Sequence, residues 1–171
     1  MKRTNKRSGR GGFTLIEVAA ATAIVGIALT ALLVAVGSNT RVNDAGSKLT
    51  EGSFLAQEIR EWTLSLPFRD LDPGDADKPP GPDGTSPQVF VDDLDDLMGV
   101  TFSPPRDGRG YAMYDYQGWS QTLSMSWRDP NDVAVQVSPG ASDMICVQVT
   151  VSYQGRAITS ANWLVAGSQE D

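Results

Sequence analysis

The chain of 171 residues contains no histidine and a single cysteine, Cys146. Without histidine it cannot form a Ser-His-Asp or Cys-His nucleophilic site, or a metal site with an imidazole ligand. One cysteine cannot form a disulfide within the chain, and its strand-like surroundings favour a packed thiol over a reactive one. Because these absences exclude most conventional enzyme chemistry, we predict that the protein is not an enzyme.

Positive charge is scarce everywhere except at the amino end. The chain has 14 Lys and Arg against 21 Asp and Glu, and its net charge is −7. The first twelve residues contain no acid and five basic residues: Lys2, Arg3, Lys6, Arg7 and Arg10. The rest of the chain is acidic and would be repelled by phosphates, so we expect no nucleic-acid partner. A basic arm directly before an apolar run follows the positive-inside rule for a cytoplasmic anchor.

Charged residues are absent from Val18 to Gly37. Twenty helical residues rise about 30 Å, which is the thickness of a bilayer core, so residues 13–37 are predicted to form a transmembrane helix. A cleavable secretory signal is the alternative, with Ala35-Val36-Gly37 as the candidate cleavage site. The apolar run is longer than the stretch of about 7–15 apolar residues in such signals. A secretory signal would also give Glu17 no purpose.

Glu17 is a carboxylate at the front of this apolar run. A charge at the centre of a membrane helix costs about 2.5–3.5 kcal/mol on insertion scales, and ionisable residues in such helices are functional candidates. Thr14-Leu15-Ile16-Glu17 also fits a capping box, in which a first-turn acid suits the helix dipole. Glu17 at the headgroup level is a further alternative. From the residues alone, these interpretations stay open.

The segment Gly12-Phe13-Thr14-Leu15-Ile16-Glu17-Val18 follows a short basic leader and precedes a long apolar helix. It closely resembles the class III signal of type IV pilins and type II secretion pseudopilins. Ala23-Ile24-Val25-Gly26-Ile27 resembles the mid-helix segment of the same family, and the resemblance covers roughly the first third of the chain. The sequence departs from the commonest family pattern because no proline interrupts the membrane helix.

The resemblance implies that prepilin peptidase cuts after Gly12 and removes residues 1–12 as a leader. Phe13 would become the N-methylated N-terminus, and Glu17 would pair with the N-terminal amine of a neighbouring subunit. The implied partners are other pilin or pseudopilin subunits, prepilin peptidase, the inner-membrane assembly platform and membrane lipid. The implied location is the cytoplasmic (inner) membrane, with a single pass and a periplasmic C-terminal domain, and the filament after assembly.

Residues 38–66 are predicted to continue the helix as an amphipathic segment. A mostly apolar stripe recurs every three or four residues: Val42, Ala45, Leu49, Gly52, Ala56, Ile59, Thr63 and Leu66. Pro67 ends the pattern. We therefore expect one helix from Phe13 to Leu66 whose second half packs on the protein's own sheet.

Residues 67–110 are predicted to be a loop region rich in proline and aspartate. Oxygen-rich loops suit calcium, and the weak candidate ligands are Asp70, Asp72, Asp75, Asp77 and Asp83. Their spacing does not fit an EF-hand, and Pro-Asp-Gly runs are common in solvated turns, so a solvated loop is favoured over a calcium site. No other cofactor is expected. A second acidic run, residues 92–96, is predicted to be a short exposed turn or helix with Leu94 and Leu97 on one side.

Residues 111–171 are predicted to form an antiparallel sheet domain, with candidate strands at 111–116, 121–127, 133–138, 144–153 and 156–165. Alternation is clearest from Met144 to Tyr153, and Gln154-Gly155 predicts a two-residue hairpin in which Val151 faces Ile158 and Ile145 faces Leu164. Three tryptophans are predicted to fill the helix–sheet interface: Trp119, Trp127 and Trp163. The expected fold class is α+β and pilin-like, with a long N-terminal helix packed on a C-terminal antiparallel sheet.

The first functional interpretation is a structural subunit, a minor pilin or pseudopilin of a type IV pilus or type II secretion filament. The minor assignment rests on the compact sheet and on the absence of paired cysteines near the C-terminus. The alternative is a single-pass membrane-anchored protein whose extracytoplasmic domain binds a ligand such as calcium, carbohydrate or DNA. A secreted enzyme is a third interpretation, which the missing histidine and the long apolar run disfavour.

Overall fold

The computed structural model describes residues 12–69, 79–82 and 90–167. One α-helix, α1, extends over Leu15–Ser65, and a 3₁₀ helix covers Asp95–Leu97. The five strands are β1 (Thr101–Phe102), β2 (Trp119–Asp129), β3 (Asp132–Gln136), β4 (Met144–Tyr153) and β5 (Arg156–Ala166). The C-terminal part of this long helix packs on an antiparallel sheet, which confirms the predicted α+β class.

The chain divides into two compact units, with the boundary between Ala45 and Gly46. In the first unit, the described residues are exposed. The helix is long and apolar enough to cross a membrane, and none of its most apolar part is buried by protein. The second unit contains the remainder of α1 and all five strands.

The buried face of α1 begins at Gly52 and contains six residues: Gly52, Leu55, Ala56, Ile59, Trp62 and Thr63. Upstream, Val42 and Leu49 are 69% and 51% exposed, so only the C-terminal half of the predicted stripe is covered. A Cβ at Gly52 would lie 3.2 Å from methyl carbons of Ile158 and Thr159. A glycine at this position therefore lets the helix approach β5 closely.

The sheet has the order β1-β2-β4-β5, with β3 also pairing β2, and every pairing is antiparallel. Alternate residues of β4 form the centre of the core and are almost completely buried: Ile145, Val147, Val149 and Val151. Burying one such aliphatic side chain contributes about 1.5–3 kcal/mol. The alternation predicted from Met144 to Tyr153 is confirmed, and its apolar face lies toward the core.

The hairpin between β4 and β5 turns at Gln154-Gly155, as predicted. Both residues have positive φ, 49° and 77°, which a type I′ turn requires. The predicted register is wrong by one residue, because Val151 pairs with Thr159 and Ile145 pairs with Val165. A β-bulge at Val151/Ser152 inserts the extra residue on β5.

The bulge decides which side chains of β5 lie toward the core. Ala161, Trp163 and Val165 stand opposite buried residues of β4, whereas Ser160 and Asn162 are exposed. In the predicted register, these two polar residues would have interrupted the apolar stripe. The observed register moves both of them to the exposed face.

The predicted strand at 111–116 is wrong, because this segment belongs to a loop. The Asp107 carboxylate accepts hydrogen bonds from the backbone N–H groups of Arg109 (2.9 Å) and Tyr111 (2.8 Å), which curls the chain. Only an isolated bridge between Arg106 and Ala112 remains. The sheet instead gains β1, which lies inside the segment predicted to be loop.

The tryptophans lie where the sequence predicted them. Trp119 and Trp127 are buried in the core. Trp163 packs against the core and donates a hydrogen bond from Nε1 to Thr63 Oγ1 on α1, at 3.2 Å. The prediction that these rings fill the helix–sheet interface is confirmed for Trp119, which lies beside Gly52 of α1, and for Trp163, whereas Trp127 is shown to be buried in the core.

The acidic run at residues 92–96 contains the predicted short helix, at Asp95–Leu97, but the run is largely buried and only Asp92 is exposed, in contrast to the prediction. Leu94 and Leu97 are completely buried, and Asp93 and Asp96 are only 4% and 1% exposed. The Leu94 N–H donates to Pro67 O at 2.9 Å, which holds the run against the end of α1. The two leucines join the core, and the neighbouring aspartates are buried with them.

Candidate processing and assembly site

The amino end of α1 is capped by Thr14. Its Oγ1 accepts a hydrogen bond from the Glu17 N–H at 3.3 Å, and its carbonyl accepts from the N–H groups of Glu17 (3.1 Å) and Val18 (3.2 Å). Thr14 is thus the N-cap, and Glu17 occupies the third helical position. Of the predicted capping box, the hydrogen bond from the Glu17 N–H to the Thr14 side chain is present. It fixes Glu17 in the first turn of the helix.

Gly12 and Phe13 lie before the helix and are accessible. Phe13 is 84% exposed, and apart from Gly12 and its chain neighbours no atom of the described residues lies within 4 Å of the position that a Cβ on Gly12 would take. The backbone φ of Gly12 is also outside the left-handed region. Within the described part of the chain, neither packing nor backbone conformation therefore requires glycine at position 12.

Glu17 is exposed on the helix surface. Within residues 12–69, 79–82 and 90–167, no group donates a hydrogen bond to its carboxylate or forms an ion pair with it. The structure therefore places this acid at the beginning of an apolar helix without a counter-charge from the described part of its own chain.

The two threonines of the apolar run satisfy their hydroxyl groups within the helix. Thr22 Oγ1 donates to Val18 O, and Thr30 Oγ1 donates to Gly26 O, both at 2.8 Å. Small side chains line a shallow groove on one face of this run: Ala23, Gly26, Thr30, Ala31 and Ala35, together with Ile27 and Val34. Small residues let the backbone of a second membrane helix come close.

Comparison with known proteins identifies the amino end of the chain. Residues 7–33 match the family described as the prokaryotic N-terminal methylation motif, which marks the prepilin-type signals of type IV pilins and pseudopilins. The chain carries a prepilin-type signal. The predicted resemblance is thereby confirmed for this segment, and Gly12, Phe13 and Glu17 all lie within the match. No curated protein and no solved structure matches the chain.

The prepilin-type signal fits a pilin-like filament subunit that prepilin peptidase processes and that assembles with other pilin subunits. Together with the apolar helix, it supports anchoring in the membrane. Subunits of this type are structural and generally not enzymes. The match ends at Leu33, so it covers neither the rest of α1 nor the sheet.

The carboxylates named as candidate calcium ligands, at positions 70, 72, 75, 77 and 83, lie outside the described residues. Calcium binding by them therefore stays a prediction. Another acidic group is present among the described residues, where carboxylate oxygens of Asp92, Asp93 and Asp96 lie within 4.8 Å of one another.

Hydrogen bonds to backbone groups organise this acidic group as a turn. Asp93 Oδ1 accepts from the N–H groups of Asp95 (3.1 Å) and Asp96 (3.2 Å), and Asp96 Oδ2 accepts from the Asp92 N–H at 3.1 Å. Burial and, to a lesser extent, the Asp95 charge raise the pKa of Asp93 from 3.8 to about 7. The buried Leu94 and Leu97 are the sequence signal that could have predicted this burial.

Proposed function

We propose that this chain is a minor pilin or pseudopilin of a type IV pilus or type II secretion filament. In this proposal, prepilin peptidase cuts after Gly12, Phe13 becomes the methylated N-terminus, and Glu17 docks the subunit against a neighbour. The subunit is the substrate of an enzyme, and an inner-membrane assembly platform inserts it into the filament. The observation that carries the proposal is the methylation motif at residues 7–33, whose Glu17 has no counter-charge in the described chain.

Glu17 supplies the physical reason for association. A carboxylate in hydrocarbon without a partner is costly, and one that faces an ammonium group is far less so. Cleavage creates such a group at Phe13, and methylation keeps its positive charge. Four residues along a helix correspond to about 6 Å. Pairing Glu17 with the amine of a neighbour therefore offsets adjacent helices by about one helical turn.

Glycine at position 12 is also explained by this proposal. Because the chain itself tolerates a larger side chain there, the requirement for glycine would come from the peptidase that must accommodate this residue. We expect Gly12→Val to fold and insert but to retain its leader. Gly11→Ala is the matched control and should be processed normally.

Intact-mass measurement and N-terminal sequencing of the membrane-extracted protein test the processing step. The mature wild type should begin at Phe13 and carry one additional methyl group, whereas Gly12→Val should begin at Met1. A wild-type protein that begins at Met1, or near Ser38 as after signal-peptidase cleavage, would contradict the proposal.

Replacing Glu17 tests the assembly step. Glu17→Ala and Glu17→Gln should insert and be processed, but should enter filaments poorly. If pairing relieves the about 2.5–3.5 kcal/mol cost of the charge, the preference for the paired state should fall on the order of 100-fold. Glu51→Gln is the control, because Glu51 lies on the same helix outside the apolar run and accepts a hydrogen bond from Ser47 Oγ. Unchanged incorporation of both Glu17 variants would instead favour a plain membrane anchor with a ligand-binding outer domain.

A further inference from the structure

The loop at residues 103–118, between β1 and β2, lies against α1 and presents tyrosines to solvent. Tyr111 and Tyr114 are 69% and 75% exposed. On α1, Phe54 is 39% exposed, and its ring stacks on that of Tyr116 with the centroids 6.0 Å apart. The same two segments carry exposed carboxylates, Glu61 on α1 and Asp115 in the loop. We call this surface the tyrosine face and define it by six residues: Phe54, Glu61, Tyr111, Tyr114, Asp115 and Tyr116.

The loop follows α1 over about two helical turns. At one end of the contact, Tyr116 stacks on Phe54. At the other end, a Cβ on Gly108 would lie 3.2 Å from Glu61 Oε2. Phe54 and Glu61 are seven residues apart, which corresponds to about 10 Å along a helix. Between them, Glu58 accepts a hydrogen bond from the Gly108 N–H at 2.7 Å. The aromatic rings and the carboxylates therefore belong to one surface.

Packing and hydrogen bonds on the inner side of the loop hold it in place. Gly110 lies against the ring of Trp62, and its carbonyl accepts a hydrogen bond from Arg106 Nη1 at 3.2 Å. The buried amide of Gln121 bonds both the N–H and the C=O of Arg106. Because the backbone is held and a tyrosine side chain has only two χ angles, little conformational entropy is lost when such a surface binds a partner.

The tyrosine face is negatively charged. Two guanidinium groups of the loop, Arg106 and Arg109, are outnumbered by the carboxylates on the face or beside it: Glu58, Glu61, Asp107 and Asp115. Arg106 is directed inward, since it lies over the Phe102 ring at 5.1 Å. Within residues 12–69, 79–82 and 90–167, no group donates a hydrogen bond to the carboxylates of Glu61 and Asp115 or forms an ion pair with them. These two acids are therefore available to a cationic partner.

The charge of the whole sheet-containing unit favours the same kind of partner. Residues 46–171 contain 8 basic and 19 acidic residues. Such a surplus of negative charge attracts a basic polypeptide and repels nucleic acid. It also repels a second copy of the same unit, so like-charge repulsion disfavours the pairing of two tyrosine faces.

We propose that the tyrosine face binds a segment of another polypeptide that carries lysine or arginine. The cationic groups of this segment would lie over the rings of Tyr111 and Tyr114 and pair with the carboxylates of the face. An ammonium or guanidinium group is attracted to an aromatic ring within about 6 Å of its centre, and tyrosine and arginine are enriched among the residues that dominate binding at interfaces. This interaction does not require cleavage after Gly12, so it can fail while the proposed function holds, and the reverse is also true.

Fluorine NMR of the full chain in micelles of an uncharged detergent tests this interaction. The chain has four tyrosines, so labelling with fluorotyrosine gives four signals, which single replacements by phenylalanine assign. The probe is a short acetylated and amidated peptide in which lysine and arginine alternate with glycine. Its addition should shift the signals of Tyr111 and Tyr114 and leave that of Tyr153, whose ring packs beside Trp119, unchanged. The same peptide with glutamine in place of each basic residue is the control and should cause no shift.

Substitutions on the protein separate the rings from the charges. Tyr111→Ala together with Tyr114→Ala should raise the dissociation constant of the peptide about tenfold, whereas replacing both by phenylalanine keeps the ring faces and should change it less than about threefold. Glu61→Gln together with Asp115→Asn should raise it about fivefold at low salt. Asp132→Asn is the matched control, because it removes an exposed charge at the other end of β2, about 30 Å away. Thermal unfolding reports whether each variant folds.

Four results would overturn the proposal. The first is the absence of shifts at Tyr111 and Tyr114 when the basic peptide is added. The second is equal weakening by Asp132→Asn and by the paired substitution of Glu61 and Asp115, which would mean that the peptide is attracted only by the overall charge of the unit. The third is a shift of the two tyrosine signals with protein concentration alone, which would identify a second copy as the occupant. The fourth is the same shift on addition of an uncharged oligosaccharide, which would identify carbohydrate.

Discussion

The buried amide of Gln121 joins three parts of the sheet-containing unit, and replacing it gives a sharp test of the structure. Gln121 lies on β2 and is completely buried. Its Nε2 donates to Leu55 O on α1 (2.8 Å) and to Arg106 O (3.1 Å), and its Oε1 accepts from the Arg106 N–H (2.7 Å). Gln121→Leu preserves the approximate size of the side chain and removes all three hydrogen bonds.

The expected cost follows from the backbone groups that lose this partner. Leaving a buried donor or acceptor unsatisfied costs about 1–3 kcal/mol. Leu55 O lies within a helix and depends less on the amide than the two groups of Arg106 do. Allowing for the more favourable burial of leucine, we expect the free energy of unfolding to fall by about 3 kcal/mol. For a domain of this size, that lowers the melting temperature on the order of 10 °C.

Urea unfolding followed by circular dichroism measures this loss. Gln148→Leu is the matched control, because Gln148 lies on the neighbouring strand β4, is exposed, and donates only to Ser160 Oγ. Its effect should stay within about 0.5 kcal/mol, as for ordinary surface substitutions. If Gln121→Leu were as stable as the control variant, the proposed connection of the loop to the helix through this amide would be refuted.

Two further predictions concern burial and backbone strain. The pKa of Asp93 is raised by folding to about 7, so the free energy of unfolding should fall by up to about 4 kcal/mol as the pH rises from about 4 to 7. Urea unfolding at pH 4 and pH 8 measures this dependence, and Asp93→Asn should remove it. If Asp93→Asn lowered the free energy of unfolding by the same amount at both pH values, the assignment of the dependence to Asp93 would be contradicted. Gly110 has a φ of +82°, and a Cβ there would lie 2.7 Å from ring carbons of Trp62, so Gly110→Ala should lower stability by about 2–4 kcal/mol. Gly155→Ala has similar backbone strain in open space, and equal thermal destabilisation of the two variants would exclude a contribution from the ring.

The elements that the sequence predicted well are those with strong local signals. The apolar run, the cap at Thr14 and the stop at Pro67 together predict one long helix, and α1 differs from that prediction by two residues or fewer at either end. Alternation over β4 and the glycine at position 155 likewise predict the hairpin. In each case the deciding interactions join residues close in sequence.

The errors in the predicted strands come from interactions between residues that are distant in sequence. The register of β5 depends on the bulge at Val151/Ser152, which brings Trp163 and Val165 toward the core. No local pattern indicates this extra residue. The segment 111–116 resembles a strand in composition, but hydrogen bonds to Asp107 curl it and leave it with no continuous partner strand.

The candidate site could be predicted from sequence because its motif is contiguous. Gly12, Phe13 and Glu17 lie within six residues, and the structure adds their accessibility and the cap at Thr14. The tyrosine face could not be predicted in the same way, since it joins α1 to a loop that lies far from it in sequence. The buried run at 92–96 also required the three-dimensional position of Leu94 and Leu97.

The helix-bonded hydroxyls of Thr22 and Thr30 affect how the membrane segment meets other proteins. Each hydroxyl is satisfied by the carbonyl four residues earlier, so lipid and neighbouring helices encounter mainly the methyl groups of these side chains. An unsatisfied hydroxyl in hydrocarbon would form hydrogen bonds with many unrelated membrane helices. Chance encounters therefore gain little from the threonines, and in the proposed function the carboxylate of Glu17 is the group by which correct neighbours in the plane of the bilayer are distinguished from incorrect ones.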